Sequence, residues 1–129
     1  MKTDLDRLQG SWRVRSLIVE GSALSAGMIG EARVVVKGDR FESLGMGTVY
    51  VGLLRIDVSR RPKTLSIKFT RGPEKGNVNQ GIYELKGDRW KLCLATKGGP
   101  APHDFVSEPG SGFAIEVLER DVNPAAPVA

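Results

Sequence analysis

The sequence contains a single cysteine, Cys93, and a single histidine, His103, among its 129 residues. One cysteine excludes an intramolecular disulfide and any zinc site built on a cluster of cysteines. The candidate ligands are too few for another metal site. We therefore expect neither a bound metal nor a cofactor.

Long hydrophobic runs are also missing. No apolar stretch approaches the roughly 20 residues that a membrane-spanning helix needs. The first residues, Met-Lys-Thr-Asp-Leu-Asp-Arg, lack the apolar core of a secretory signal. We expect a cytoplasmic protein without a membrane span, or an exported one if an upstream signal has been removed.

Catalytic motifs are equally sparse. His103 precedes Asp104, and Ser107 and Ser111 follow in the same proline- and glycine-rich stretch. Nucleophilic catalysis needs such residue types, but neighbours in a loop rarely orient one another as a triad requires. No nucleophile elbow or phosphate-binding loop is present. We expect no enzymatic activity, and we interpret Cys93 as a structural thiol that points away from the interior.

Short stretches of alternating apolar and polar residues dominate what is present. Leu65, Ile67 and Phe69 alternate with polar residues, which is typical of a half-buried strand. Gly87 and Asp88 form a predicted hairpin turn, since glycine reaches the positive φ that such turns need. This turn places Leu85 opposite Trp90 and Tyr83 opposite Leu92. The turn at Gly38-Asp39 likewise places Val36 opposite Phe41 and Val34 opposite Ser43.

The pattern predicts eight strands, after a helical turn at residues 3–9. The strands cover residues 12–20, 32–37, 40–43, 48–58, 64–70, 81–85, 90–94 and 112–120. An open sheet of this size would leave one face wet and two edges unpaired, so closure into an antiparallel up-and-down barrel is favoured. A two-sheet sandwich is the alternative. Residues 1–122 form one domain, and 123–129 are expected to be a disordered tail.

Alternation also predicts which side chains face inward. On the first strand the inward set is Trp12, Val14, Ser16 and Ile18. On the last strand Phe113, Ile115 and Val117 are expected inward, and Glu116 and Glu119 outward.

Gly10-Ser11-Trp12, at the start of the first strand, resembles the Gly-x-Trp signature of lipocalins. In that superfamily the tryptophan packs at the closed end of the barrel, beneath an arginine from the end of the last strand. Arg120 stands where that arginine is expected, and a guanidinium stacks favourably on an indole. The resemblance implies that Trp12 and Arg120 form the plug of a lipocalin-like barrel.

Most of the chain is similar to a family of small lipocalin-like bacterial domains that is abundant in planctomycetes. That family has no assigned activity, so the resemblance implies the fold alone. It is carried by residues 8–12, 62–65, 72–76, 81–88, 92–93 and 109–112.

Architecture indicates a non-enzymatic binding module, with a small apolar ligand held inside the barrel. The predicted lining is aromatic, and Tyr83 offers a hydroxyl to orient the ligand. The ligand-binding residues expected are Phe41, Phe69, Tyr83, Trp90 and Phe113. A barrel packed solid by the same rings remains the alternative.

Charge supports a second hypothesis, an interaction domain that binds a protein or an acidic partner through its outer surface. Residues 55–75 contain seven basic side chains against Asp57 and Glu74. Nucleic acid is not expected as the partner, because base stacking needs outward aromatic residues. The proline- and glycine-rich residues 96–110 are predicted to form a long surface loop that offers another contact surface.

Overall fold

A computed structural model describes residues 2–121, which fold mainly into β-strands. The helices are α1 (Asp4–Leu8) and α2 (Ala26–Ile29). The strands are β1 (Gly10–Val19), β2 (Ser22–Ala23), β3 (Arg33–Lys37), β4 (Arg40–Gly45), β5 (Thr48–Asp57), β6 (Lys63–Arg71), β7 (Val78–Lys86), β8 (Arg89–Ala95) and β9 (Phe113–Arg120).

Strands β1 and β3–β9 form a closed antiparallel barrel. Consecutive strands pair from β3 to β9, β1 pairs with β3, and β1 also pairs with β9 to close the ring. The predicted eight-stranded up-and-down barrel is therefore confirmed. The remaining strand, β2, folds back on the end of β1.

Both predicted hairpin registers are confirmed. Leu85 pairs with Trp90 across the second hairpin, and Val36 pairs with Phe41 across the first. Gly87 and Gly38 have φ angles of 56° and 65°, a left-handed conformation that costs glycine little. These turns fix which side chains of four strands enter the barrel.

The short helix α1 covers one end of the barrel, which we call the closed end. Thr3 caps it, since its hydroxyl accepts the Asp6 amide while its own amide donates to the Asp6 carboxylate. Leu8, the last residue of the helix, is fully buried against the barrel interior. The Gln9 side chain bonds both the amide and the carbonyl of Gly38, which fastens the helix to the β3–β4 turn.

The prediction for the inward face of β1 is wrong in its second half. A bulge between Val14 and Ser16 inserts one extra residue, so the alternation reverses beyond it. Leu17 therefore packs with the barrel interior, whereas Ile18 belongs to an apolar cluster outside the wall and Ser16 shares its face.

The prediction for β9 places Glu119 outward correctly, but its inward set and Glu116 are wrong by one residue in phase. Leu118 is fully buried in the interior, and Phe113 and Ile115 lie in the outer cluster. By alternation Val117 faces outward, and Glu116 faces inward. The physical reason is that this side of the barrel is apolar on both faces, so hydrophobicity alone does not identify the inner one.

The segment 96–112 covers the outer face of β7–β9. Its Ala101 and Phe105 pack against Ile82, Cys93 and Ile115, and Lys91 lies 4.8 Å from the Phe105 ring centre. Cys93 points outward as predicted and is completely buried beneath this cover. The long loop is thus part of the packed structure.

The opposite end, which we call the open end, lies between the β4–β5 turn and α2. Ile29 of α2 is buried and Leu24 packs against the interior residues. The predicted tail, 123–129, lies outside the described residues. Within residues 2–121, neither helix has the length and apolar content needed to cross a membrane.

Candidate functional site

The interior of the barrel has two unlike halves. Toward the closed end, large side chains fill the space between the strands. They include Leu8, Trp12, Tyr83, Trp90, Leu92 and Leu118, and all are at most 1% exposed. Trp12 and Trp90 meet edge to face with their ring centres 5.5 Å apart. This closed half has the packing of a solid core.

The predicted contact between Trp12 and Arg120 is present at the closed end. The guanidinium carbon lies 4.4 Å from the centre of the indole ring. Arg120 also donates to the carbonyls of Gln9 and Arg7 and to the Asp88 carboxylate. The indole nitrogen of Trp12 donates to the Leu8 carbonyl at 2.8 Å. Together these bonds attach α1 and Gln9 to the first and last strands of the barrel, β1 and β9.

The carboxylate of Asp4, the first residue of α1, makes the floor of the closed half polar. One oxygen of Asp4 accepts from Tyr83 at 2.8 Å and from Lys63 at 2.9 Å. Burial opposes the charge, but the bonds from Lys63 and Tyr83 outweigh it and hold the pKa of Asp4 below its usual value. Burial and the Asp4 carboxylate raise the pKa of the Tyr83 phenol. The Tyr83 hydroxyl is therefore engaged in the fold.

Four of the five aromatic residues predicted to line a ligand site lie inside the barrel. Phe41, Tyr83 and Trp90 are no more than 3% exposed and belong to the packed interior. Phe69 is 6% exposed and contacts Tyr50 edge to face. Phe113 lies outside the wall, as described above, so its predicted inward position is wrong.

The open half of the barrel is lined by inward residues that keep accessible surface. On β1, β4, β5, β8 and β9, alternation from buried core neighbours places one such residue on each strand. They are Leu17, Ser43, Tyr50, Leu94 and Glu116, and each is only partly buried. Because these side chains point inward, we assign their accessible surface to the interior and the mouth of the barrel. Asn79, inward on β7, is 4% exposed.

Glu116 is the unexpected member of this lining. Its neighbours across the two adjacent strands are Leu17 and Leu92, both apolar. No hydrogen bond or ion pair to its carboxylate is found among the described residues. Burial raises its pKa from 4.5 to about 7, although part of the side chain remains accessible. We assign that accessible surface to the barrel interior, because Leu118 and Ile115 fix which way Glu116 points.

Two further buried polar atoms of the interior lack partners within residues 2–121. They are the Asn79 side-chain oxygen, in the open half, and the indole nitrogen of Trp90, in the closed half. Buried polar atoms are rarely left unpaired, and an ordered water molecule is the usual partner of such an atom.

Sequence reasoning missed Glu116 even though the signal was present. Arg120 was expected to meet Trp12, which places Arg120 on the inner face at the end of β9. Every second residue before it, including Leu118 and Glu116, must then be inward too. The predicted contact between Arg120 and Trp12 was therefore enough to identify which residues of β9 face inward.

The basic residues between Arg55 and Lys75 lie mostly on the outer surface. A groove of about 480 Å³ on the outside of β5–β7 is lined by several of them together with the start of the 96–112 segment. Its polar lining includes Arg55, Arg60, Arg61, Ser66, Gln80 and His103. Arg60 pairs with Asp57 at 3.7 Å, whereas Arg61 bonds backbone carbonyls of its own loop.

The residues weighed for catalysis are not brought together as a triad. His103 and Asp104 are exposed, while Ser107 donates to the Phe113 carbonyl and Ser111 to the Glu108 carbonyl. Burial raises the pKa of the Cys93 thiol, which lies 3.8 Å from the Val106 carbonyl. Within the described chain, no group of three histidine, cysteine or acidic side chains has the spacing of a metal site.

No family model matches this chain, and no curated protein or solved structure is significantly similar to it. The geometry of the barrel is therefore the basis for any functional conclusion.

Proposed function

We propose that this chain is a non-enzymatic, lipocalin-like binding module that holds a small, largely apolar molecule in the open half of its barrel. We also propose kinship with the lipocalin-like bacterial domains that its sequence resembles. An eight-stranded barrel of this size can enclose one small ligand. The proposal takes the ligand site to be shifted from the predicted aromatic cluster toward the open end.

One observation carries this proposal. The largest inward side chains of the closed half, Trp12, Tyr83 and Trp90, are almost completely buried, and Ile56 and Leu85 near its rim keep some accessible surface. In the open half, Leu17, Tyr50 and Leu94 point inward and keep accessible surface at the middle and the open end of the barrel. Apolar surface left facing an interior is the kind of surface that a small-molecule site presents. Phe69 and Tyr50 add two aromatic faces at the same end.

The test is a ligand screen read by NMR. Small aliphatic and aromatic alcohols, amines and carboxylates, together with fatty acids and haem, are added to the isotope-labelled protein. We expect at least one compound to shift the amide signals of Leu17, Ser43 and Leu94 while leaving those of the outer groove unchanged. Quenching or enhancement of Trp90 fluorescence gives a second readout, since Trp90 lies next below Leu92 on the interior face.

A matched pair of variants locates the site. Ser43→Trp places a large ring in the open half, and we expect it to weaken binding more than tenfold. Leu53→Trp places the same ring on the outer surface, where Leu53 is 44% exposed, and should leave binding unchanged. If no compound perturbs the open-half amides, or if both variants bind normally, the proposal is wrong.

A second candidate function is supported by the outer groove. Its arginine-rich lining favours an acidic partner, for example an acidic peptide on another protein. Titration with hexaglutamate tests this, and binding should weaken with added salt and in Arg55→Gln. Arg89→Gln, which removes an exposed charge elsewhere on the barrel, is the control. Equal binding by both variants would exclude the groove as the site.

A further inference from the structure

We infer that the molecule held in the open half is a small organic cation, whose ammonium or amidinium group pairs with the inward carboxylate of Glu116. This inference rests on the proposed function and specifies the ligand class of the same site. It depends on three features of the interior, namely its charge, its unpaired carboxylate and its apolar surroundings.

The first feature is the sign of the charge. Within residues 2–121, Glu116 is the one charged side chain that alternation places on the inner face of the open half. The inward charges of the closed end already have partners. Asp4 pairs with Lys63, and Arg120 donates to the Gln9 carbonyl. A ligand that enters the open half therefore meets a negative group without a positive counterpart.

The second feature is the missing partner. A buried carboxylate without a donor is costly, and proteins normally pair it or bind a cation to it. The Asn79 side-chain oxygen also lacks a donor, but it lies four residues along β7 from Tyr83, which is in register with Leu92 and Glu116, so it is too far away to contact the same ammonium group. Ammonium and amidinium groups carry several N–H donors and no acceptor, so they match such a lining.

The third feature is the surface around the carboxylate. Leu17 and Leu92 flank Glu116, and Leu94 and Tyr50 continue the lining toward the open end. The two oxygens of the Glu116 carboxylate, with apolar neighbours, are a poor site for a hard metal ion, because such an ion takes six or more oxygen ligands. They suit a molecule with a cationic head and an apolar body.

The charge of the ligand is tested with isosteric pairs. 2-Phenylethylamine is compared with 2-phenylethanol, and pentylamine with pentanol, by calorimetry and NMR at neutral pH. We expect each amine to bind at least tenfold more tightly than its alcohol, because a charge-assisted bond replaces a neutral one. The carboxylate 3-phenylpropanoate should bind more weakly than the alcohol, since like charges repel.

Two glutamates on the same strand provide matched variants. Glu116→Gln keeps the size but removes the charge, and we expect the preference for amines to disappear. Glu119→Gln changes an outward carboxylate that is 50% exposed and pairs with Arg15, so the preference should persist. Glu116→Asp, which retains the charge on a shorter side chain, should keep part of it. Thermal unfolding of each variant verifies that the barrel is intact.

Proton release is a readout that a purely structural role would not produce. Burial raises the pKa of Glu116 to about 7, and an adjacent cation favours the ionised form. Amine binding should therefore release protons, more of them as the pH is lowered from 8 to 6, measured by calorimetry in buffers of different ionisation enthalpy. The other ionisable groups facing the interior are Tyr50, Tyr83, Lys63, Asp4 and Arg120. All remain in Glu116→Gln, in which the release should vanish.

The outcomes separate this inference from the proposed function. If alcohols bind in the open half as tightly as amines, the cation inference is wrong and the binding module stands. If Glu116→Gln retains the full preference for amines, another group recognises the charge and the inference is also wrong. If neither amines nor neutral compounds reach the open half, both proposals fail.

Discussion

We expect Glu116 to make the stability of the fold depend on pH. Its folded pKa is about 7, against 4.5 for the ordinary carboxyl. For a raised pKa, stability is fully present below about pH 4.5, where both states are protonated, and is lost as the pH rises through about 7. At about 1.4 kcal/mol per pKa unit, the loss above pH 7 is about 3 kcal/mol at most.

We expect Glu116→Gln to remove this dependence. Urea unfolding at a series of pH values should give equal stabilities for the two proteins near pH 4, with the variant more stable by about 2–3 kcal/mol near pH 8. Asp4, whose pKa is lowered chiefly by Lys63 and Tyr83 against the effect of burial, loses its contribution only as the pH falls. A constant difference between the variant and the parent would show that Glu116 is not desolvated.

The stack of Arg120 on Trp12 is a second feature of single residues. Trp12→Ala should cost about 3–5 kcal/mol, because a fully buried ring is removed. Arg120→Ala should cost about 2 kcal/mol, since it also leaves the Gln9 and Arg7 carbonyls without a donor. The double variant should lose about 1 kcal/mol less than the sum, because the two side chains touch.

Denaturant unfolding measures this cycle, and strictly additive losses would contradict a coupled plug. Arg15→Ala serves as the control. Its contact with Glu119 is on the surface, with both side chains about half exposed, so we expect a change within about 0.5 kcal/mol.

Among the elements, the turn that joins β4 to β5 approaches the chain before β3 unusually closely. A methyl group on Gly45, whose φ is +123°, would lie 2.6 Å from the Ala32 Cα. Gly47, with φ of +77°, has open space in the same direction. We expect Gly45→Ala to destabilise the fold by at least about 2 kcal/mol, and Gly47→Ala by about 1 kcal/mol from its backbone conformation alone.

Thermal or urea unfolding of the two variants separates the loss of stability caused by the clash with Ala32 from the loss caused by the positive φ angle alone. Equal losses would mean that the segment before β3 moves away easily. That result would also make the open end more deformable than the packing of Ile29 and Ala32 indicates.

The segment 96–112 protects the thiol of Cys93. We expect the native protein to react very slowly with a thiol reagent such as DTNB, because Cys93 is completely buried and burial raises its pKa. Phe105→Ala should accelerate the reaction at least tenfold by loosening the cover. His103→Ala changes an exposed neighbour in the same segment and should have no effect. A native thiol that reacts as fast as in urea would contradict the packed cover.

The strands and turns were largely predictable from the sequence. Which face of each strand points into the barrel was not. Glycine turns at Gly38 and Gly87 fixed two hairpin registers, because turn geometry determines pairing. The bulge after Val14 has no local signal, since Arg15 and Ser16 fit a regular strand equally well. The apolar cover outside β7–β9 depends on contacts between Phe105 and distant strands, which alternation does not encode.

The whole molecule has a gradient of packing along the barrel axis. Trp12, Tyr83 and Trp90 are almost completely buried at the closed end, whereas Tyr50 and Leu94 at the open end keep accessible surface. We expect hydrogen exchange to follow this gradient. Amides of Trp12, Tyr83 and Trp90 should exchange only by global unfolding, and those of α2 and residues 45–48 by local opening.

Exchange measured by NMR under native conditions tests the gradient. Amides near α2 that are as protected as those around Trp90 would show a barrel that opens only as a unit. Binding of a compound in the open half should slow exchange at the open end selectively.

The overall barrel could be predicted because eight strands with one apolar face have few ways to bury it. The candidate site could not be predicted in full. The phase of β9 decides whether Glu116 or Phe113 faces the interior. An error of one residue replaces a carboxylate in the predicted lining with an aromatic ring. Asn79 was missed because the predicted strand began at residue 81, whereas β7 begins at Val78.

The position of α1 has a practical consequence for experiments on an immobilised protein. The helix packs on the closed end through its own buried Leu8, and Gln9 after it is bonded to the β3–β4 turn. A linker attached before Thr3 would therefore extend from the closed end of the barrel, opposite the open half. Molecules anchored to a sensor chip by that linker would all direct the same pole toward the flowing solution, and the coupling chemistry would not compete with the analyte.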